Sequence, residues 1–310
     1  MLYVATLISH SEQRAITDRI VKEATRVLPS GRFSVWLDQD IAADILFTLD
    51  DVEQIAGPKG VKAALADLAR SAQEIAGDAP FDVVIQPDEQ RRKKLLVADM
   101  DSTMIGQECI DELADFVGMK AHVAEITERA MRGEIAFEPA LRERVGLLKG
   151  LSAQIIEKVI AERVRHTPGA RTLVATMRAN GAYTCLVSGG FTAFTDPIAA
   201  AIGFDESRGN TLLMDEVNLL TGLVSEPILG GEAKRAALVE LRERRGLARE
   251  ATLAVGDGAN DLAMILEAGL GVAYRAKPAV AEAAHARIDH GDLTALLYLQ
   301  GYRREEFVEA

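Results

Sequence analysis

The chain has 310 residues, 48% hydrophobic and 26% charged, a soluble globular profile with room for one large core or two smaller ones. Its net charge is −12 and its only dense basic run is RRKK at 91–94, which argues against nucleic acid or an anionic membrane as the main partner and leaves a small anionic substrate open. No apolar run approaches membrane-spanning length, the first residues lack a signal-peptide pattern, and the two cysteines, Cys109 and Cys185, have no metal-type spacing, so a reducing cytoplasm is the simplest location.

In chain order, LYVATLIS (2–9) reads as a strand. Residues 11–28 follow as a helix with Ile16, Ile20, Ala24 and Val27/Leu28 on one face, stopped by Pro29, Ser30 and Gly31. Strands at 33–37 and 43–49, a helix at 60–72 and a strand at 81–86 complete a βαββαβ order, a ferredoxin-like domain over residues 1–86. Residues 87–94 (PDEQRRKK) are charged, begin with proline and read as a linker.

A second domain spans 95–310. Leu95 to Ala98 form a strand, followed by helices over about 107–165 with breaks at Pro139 and Gly150. That stretch is too long for a crossover and reads as a separate helical cap. A helix at 168–181, a strand at 182–190, a helix beginning near Thr195 and a β excursion follow. The helix at 231–246, the strand ATLAVGDG, the helix NDLAMILEAG and the strand LGVAYRA finish the pattern. Strands alternating with helices imply an α/β fold, a Rossmann-like doubly wound parallel sheet. This sheet needs no strand from the first domain, so a chain beginning near Glu89 is expected to fold and act by itself.

Ligands of such sheets bind beyond the carboxyl ends of the strands. There the sequence places Asp99 and Asp101, then Ser188, Gly189 and Gly190, then Asp257, Asn260 and Asp261, with Lys234 early in an intervening helix. Acids gathered from separate segments call for a cation, and oxygen ligands favour Mg²⁺. Glycines after a strand let backbone N–H groups approach an anion, Ser188 can donate to a phosphate oxygen, and Lys234 can balance its charge. Taken singly, a DxD turn, a glycine pair or a surface lysine is ordinary. Together they read as a phosphoryl-transfer site with a carboxylate nucleophile. None of the five histidines falls at these strand ends, which argues against a histidine-dependent phosphatase. Repulsion separates the roles of the two aspartates: one stays ionised and attacks phosphorus, the other holds a proton for the leaving oxygen.

DMDST (99–103), SGG (188–190), Lys234 and GDGAND (256–261) resemble the four motifs of the haloacid dehalogenase superfamily of phosphatases. DMDSTMIGQECIDELADFVG, ITERAMRGEIAFEPALRERVGLLKG and AVGDGANDLAMILEAGLGVAYRAKP bring the resemblance, over roughly 95–290, to the phosphoserine phosphatase family. The resemblance implies Asp99 as nucleophile and Asp101 as acid/base. It implies Mg²⁺ held by Asp99, the Asp101 carbonyl and Asp257, with Asp261 in support. Ser188, Gly189, Lys234 and Asn260 would surround the phosphate. In the cap, Glu108 would meet a substrate ammonium and Arg144 its carboxylate, with Met131 and Phe137 as apolar cover. The implied substrate is O-phosphoserine, in the last step of serine biosynthesis. A related amino-acid-like phosphomonoester such as phosphohomoserine is the alternative, and a phospho-aspartate signalling receiver is disfavoured by Asp101. The first domain looks like the ACT-type domains some of these enzymes carry, with room for a homodimer through it.

Overall fold

β1 (Leu2–Ser9) is buried along nearly its whole length because strands pair with both of its edges. The computed structural model describes residues 1–49, 60–75, 77–131 and 134–309. After α1 (Asp18–Val27) come β2 (Arg32–Asp38), β3 (Ala42–Thr48), α2 (Gly60–Glu74) and β4 (Phe81–Pro87). The antiparallel order is β2-β3-β1-β4, the ferredoxin-like arrangement expected. Its helices cover one face, where Ile20, Val21 and Ala24 of α1 meet Tyr3, Ala5 and Leu7 of β1. α1 starts later than its periodicity suggests: residues 10–14 turn, Arg14 adopts φ +46°, and Thr17 caps the helix by accepting the Ile20 N–H.

The second sheet is parallel and six-stranded, and its middle is β5 (Leu95–Ala98). β6 (Tyr183–Phe191) and β7 (Glu206–Asn210) lie on one side; β10 (Thr252–Gly256), β11 (Leu270–Tyr274) and β12 (Ala286–Ile288) lie on the other. β5 alternates between two cores, as a strand covered on both faces must. Leu96 and Ala98 join α7 (Ala170–Ala179) and α8 (Thr192–Ile202); Leu95 and Val97 join α9 (Gly231–Arg244) and α10 (Leu262–Glu267). The doubly wound reading therefore holds. The sequence reading did not assign β7, α11 (Pro278–Ala283), β12 or α12 (Ala295–Leu299).

Between β5 and α7 stand the cap helices: α3 (Cys109–Phe116), α4 (Lys120–Met131), α5 (Phe137–Gly146) and α6 (Gln154–Glu162). Ile105 pairs with His166 where the chain enters and leaves. Pro139 does not break a helix; it lies in the first turn of α5, where a backbone N–H has no helical partner to lose. The β excursion is a hairpin of β8 (Leu212–Met214) and β9 (Leu220–Val224), and it is stitched to the cap. Gly150 N–H donates to Leu220 O, Leu220 N–H to Leu151 O and Ala153 N–H to Asn218 O, at 2.8 to 3.0 Å.

The two sheets meet at a built seam. The Asp82 carboxylate of β4 accepts the N–H groups of Asp289, His290 and Gly291 at 2.9 to 3.1 Å. Arg91 donates to Asp44 at 2.7 Å and to the Tyr298 and Leu299 carbonyls, and the Tyr298 hydroxyl donates to Asp38 at 2.7 Å. Ile8, Leu37, Ile41, Ala42 and Val84 belong to the same apolar cluster as Leu293, Leu296 and Tyr298. Segment 87–94 is largely exposed but anchored at two points: Lys93 is buried and donates to the Gln90 and Glu250 carbonyls, and Arg91 makes the bonds given above.

Candidate active site

β5 stops where its last paired N–H, that of Asp99, reaches Val255 O at 3.0 Å. The chain then turns sharply: Ser102 sits at φ +54°, and Ile105 N–H returns to Met100 O at 3.0 Å. A non-glycine residue in that region is uncommon, and its hydroxyl is engaged with Glu108 Oε1 at 2.6 Å. The turn thereby presents Asp99 and Asp101 beside each other and brings the start of α3 over them.

Asp99 is buried, and its Oδ1 accepts the Met100 N–H at 2.8 Å. Lys234, fully buried, places Nζ 2.6 Å from both Asp99 Oδ1 and Asp261 Oδ1. Asp257 accepts the Thr103 hydroxyl at 2.9 Å. Asp99, Asp257 and Asp261 each offer a carboxylate oxygen within 4.8 Å of the others. Three acids against one ammonium leave a negative deficit in a buried place. Burial, then Asp261, raises Asp99 well above the carboxylate range; burial, then Asp261, raises Asp257 to about 6. Burial opposes the Lys234 charge, yet Asp261 and Asp99 hold it above its ordinary value. Hard oxygen donors that disfavour their own ionisation fit a small divalent cation.

Asp101 is set for a different role. Its Oδ1 is buried without a hydrogen-bond partner among the described residues. Burial, then the charge of Glu108, raises it to about 7, with the Cys109 thiol and N–H pulling the other way. A carboxyl poised there can give and take a proton near neutral pH.

The expected phosphate groups converge on the same edge. Ser188 is buried and accepts the Gly190 N–H at 2.8 Å, which leaves its hydroxyl hydrogen free to donate. A Cβ at Gly256 would strike the Asp261 side chain, one at Gly258 the Asn260 amide, and one at Gly231 would stand 2.9 Å from Asn260 O. The glycines thus allow the 256–261 turn to close on α9. From the cap, Phe137 lies across Gly189 and Gly230, 3.0 and 3.1 Å from where a Cβ would stand on each. Arg144 donates to Thr127 Oγ1 and Ala140 O at 3.2 Å. Burial lowers its pKa, while the charges of Asp111, Glu108 and Asp101 raise it. Met131 ends α4, and its side chain lies outside the described residues. The sequence reading missed Thr103, which holds Asp257, and the buried Asn210; the first was in view within DMDST, the second opened the NTLLMDE stretch of the β excursion, where nothing marks a polar residue as buried.

Comparison with known proteins agrees with this geometry. A family model for haloacid dehalogenase-like hydrolases matches residues 96–266. The phosphoserine phosphatase of Albidiferax ferrireducens is 48% identical over 210 residues, 66% of this chain and 89% of that protein. The phosphoserine phosphatase of Saccharomyces cerevisiae is 34% identical over 308 residues, 98% of this chain and 97% of that one. A solved substrate-bound phosphoserine phosphatase complex aligns with TM-score 0.63 and 38% identity, over 67% of this chain and 98% of its own. The chain belongs to the haloacid dehalogenase-like hydrolase family. Within that family it is a phosphatase, with phosphoserine phosphatases among its relatives.

Proposed function

We propose that the chain hydrolyses O-phospho-L-serine to L-serine and phosphate, the last step of serine biosynthesis, with Mg²⁺ and through a phosphoaspartate on Asp99. The observation that carries this reading is the gathering of Asp99, Asp257 and Asp261 around Lys234, with the charges of Glu108 and Arg144 both acting on Asp101 beside them. Phosphoserine bears an ammonium, a carboxylate and a phosphate, and an acid, an arginine fork and a phosphate cradle answer them in turn.

Asp99, Asp257 and the Asp101 carbonyl would hold Mg²⁺, with Asp261 in support. Bound there, the ion would offset charge on the phosphoryl oxygens. Asp99 attacks phosphorus while Lys234, Ser188, the Gly189 N–H and Asn260 hold the oxygens. Asp101 gives its proton to the serine oxygen as that bond breaks, then takes one from the water that attacks the phosphoaspartate. Phe137 covers the site, and Met131 is proposed to do so with it.

The names of the relatives support the substrate, and the free, buried cysteines fit a cytoplasmic location. A homodimer through the first domain belongs to the same proposal; the exposure of Phe33 on the edge strand β2 supports it, and light scattering reads it. The test of function is phosphate release from a panel of phosphomonoesters, with and without Mg²⁺. Phosphoserine turnover that collapses on chelation is the expected result. Preference for phosphohomoserine would reassign the substrate, and metal-independent turnover would remove the mechanism.

A further inference from the structure

β6 and β7 pair in parallel at Val187–Arg208 and again at Phe191–Asn210, so β6 spends four residues where β7 spends two. The surplus is the Ser188–Gly190 bulge that forms one wall of the phosphate cradle. A bulged segment has lost its ladder partners. The Asn210 side chain, almost fully buried, takes their place. Its Nδ2 donates to Gly189 O at 2.8 Å and to Leu229 O at 3.1 Å, and its Oδ1 accepts the Leu229 N–H at 2.7 Å.

One amide therefore ties two walls together. The first is the bulge with Ser188 and Gly189. The second is the approach to α9, which continues through Gly230 and Gly231 to Lys234. Phe137 of the cap rests on Gly189 and Gly230 together, so the spacing of the walls is also the width of its seat.

We propose that Asn210 is a positioning residue of the reaction: it fixes the gap between the Gly189 wall and the start of α9, and with it the phosphate cradle and the seat of the cap. The inference rests on the phosphate cradle assigned above. Only a planar amide supplies two donors and an acceptor here; aspartate would face two carbonyls with an acceptor, and alanine would leave three backbone groups unpaired.

The test compares Asn210→Ala and Asn210→Asp with Thr184→Val. Thr184 is a buried hydroxyl that donates to Asp205 at 3.0 Å near the start of β6, away from the cradle. Readouts are kcat and KM for O-phosphoserine and p-nitrophenyl phosphate, inhibition by inorganic phosphate, the Mg²⁺ activation midpoint and the melting temperature. Both Asn210 variants are expected to lose about tenfold or more in kcat/KM on both esters and to bind phosphate more weakly, because small displacements of positioning groups are costly. The Mg²⁺ midpoint should hold. Thr184→Val should lower the melting temperature and leave phosphate inhibition intact. If the alanine variant does not fold, Asn210→Ser is read in its place. Wild-type kinetics in the Asn210 variants overturn the proposal, as does an equal kinetic loss in Thr184→Val. A wild-type enzyme active on the aryl ester and not on phosphoserine overturns the substrate reading alone; phosphate inhibition and the aryl ester still decide Asn210.

Discussion

Asp99 and Asp101 are separated by one residue and by their surroundings. Asp99 is locked against Lys234, whereas Asp101 has a free buried oxygen and titrates near 7. Replacing Asp99 by asparagine should abolish phosphoserine turnover, since an amide cannot form the acyl phosphate; substantial activity would remove the covalent route. Asp101→Asn should keep the backbone carbonyl and lose proton transfer, a cost of about 10²–10⁴-fold. A sign follows for pH. The first step needs Asp101 protonated, and its protonated fraction falls tenfold per unit above about 7. kcat/KM for phosphoserine should therefore decline on the alkaline side, more than for p-nitrophenyl phosphate, whose leaving group needs less help. A flat profile to about pH 9 would take the acid role from Asp101. At this scale much of the candidate site was legible, because the motif residues other than Lys234 lie at or just beyond the ends of apolar strands. Thr103 and Asn210 were not, because their partners lie 154 and about 20 residues away, and polar spacing does not report such contacts.

Among the elements, those with a clear apolar period were legible. β7 was not: ESRGN is polar, as suits an edge strand, and ALLYL of α12 is apolar all round, so it has no face to read. The Pro139 break failed because a proline in the first turn reads like a stop. α5 carries two of the four expected cap groups, Phe137 at its start, against Gly189 and Gly230, and Arg144 near its end. Arg144→Ala should cost phosphoserine hydrolysis about 10²-fold, from lost charge-assisted hydrogen bonds of ~1.5–3 kcal/mol each, and spare p-nitrophenyl phosphate, which carries no carboxylate. Equal losses on both esters would assign Arg144 to the fold. Gly230→Ala should lift Phe137 from its seat and raise KM, and Phe137→Leu in that background should recover part of the loss. An unchanged KM in Gly230→Ala would show that the ring adapts freely.

On the scale of the whole molecule, every group named in the chemistry lies between 99 and 261, yet the first domain is not merely tethered. Part of its core is shared with α12, and its Asp82 clasps the 289–291 backbone. A chain beginning at Glu89 should keep the active-site geometry and lose stability, since re-exposing each apolar side chain of the seam costs about 1.5–3 kcal/mol. The expected result is Mg²⁺-dependent turnover with a lower melting temperature. A folded but inactive product would show that the first domain completes the site. The seam also bears on how the protein is made. The first domain leaves the ribosome early, but its partner helix α12 is encoded some 210 residues later. At about 5–20 residues per second, Ile8, Ile41 and Val84 would wait about 10–40 s for their cover. During synthesis the nascent chain therefore carries an uncovered apolar face, the period in which a chaperone has most to protect.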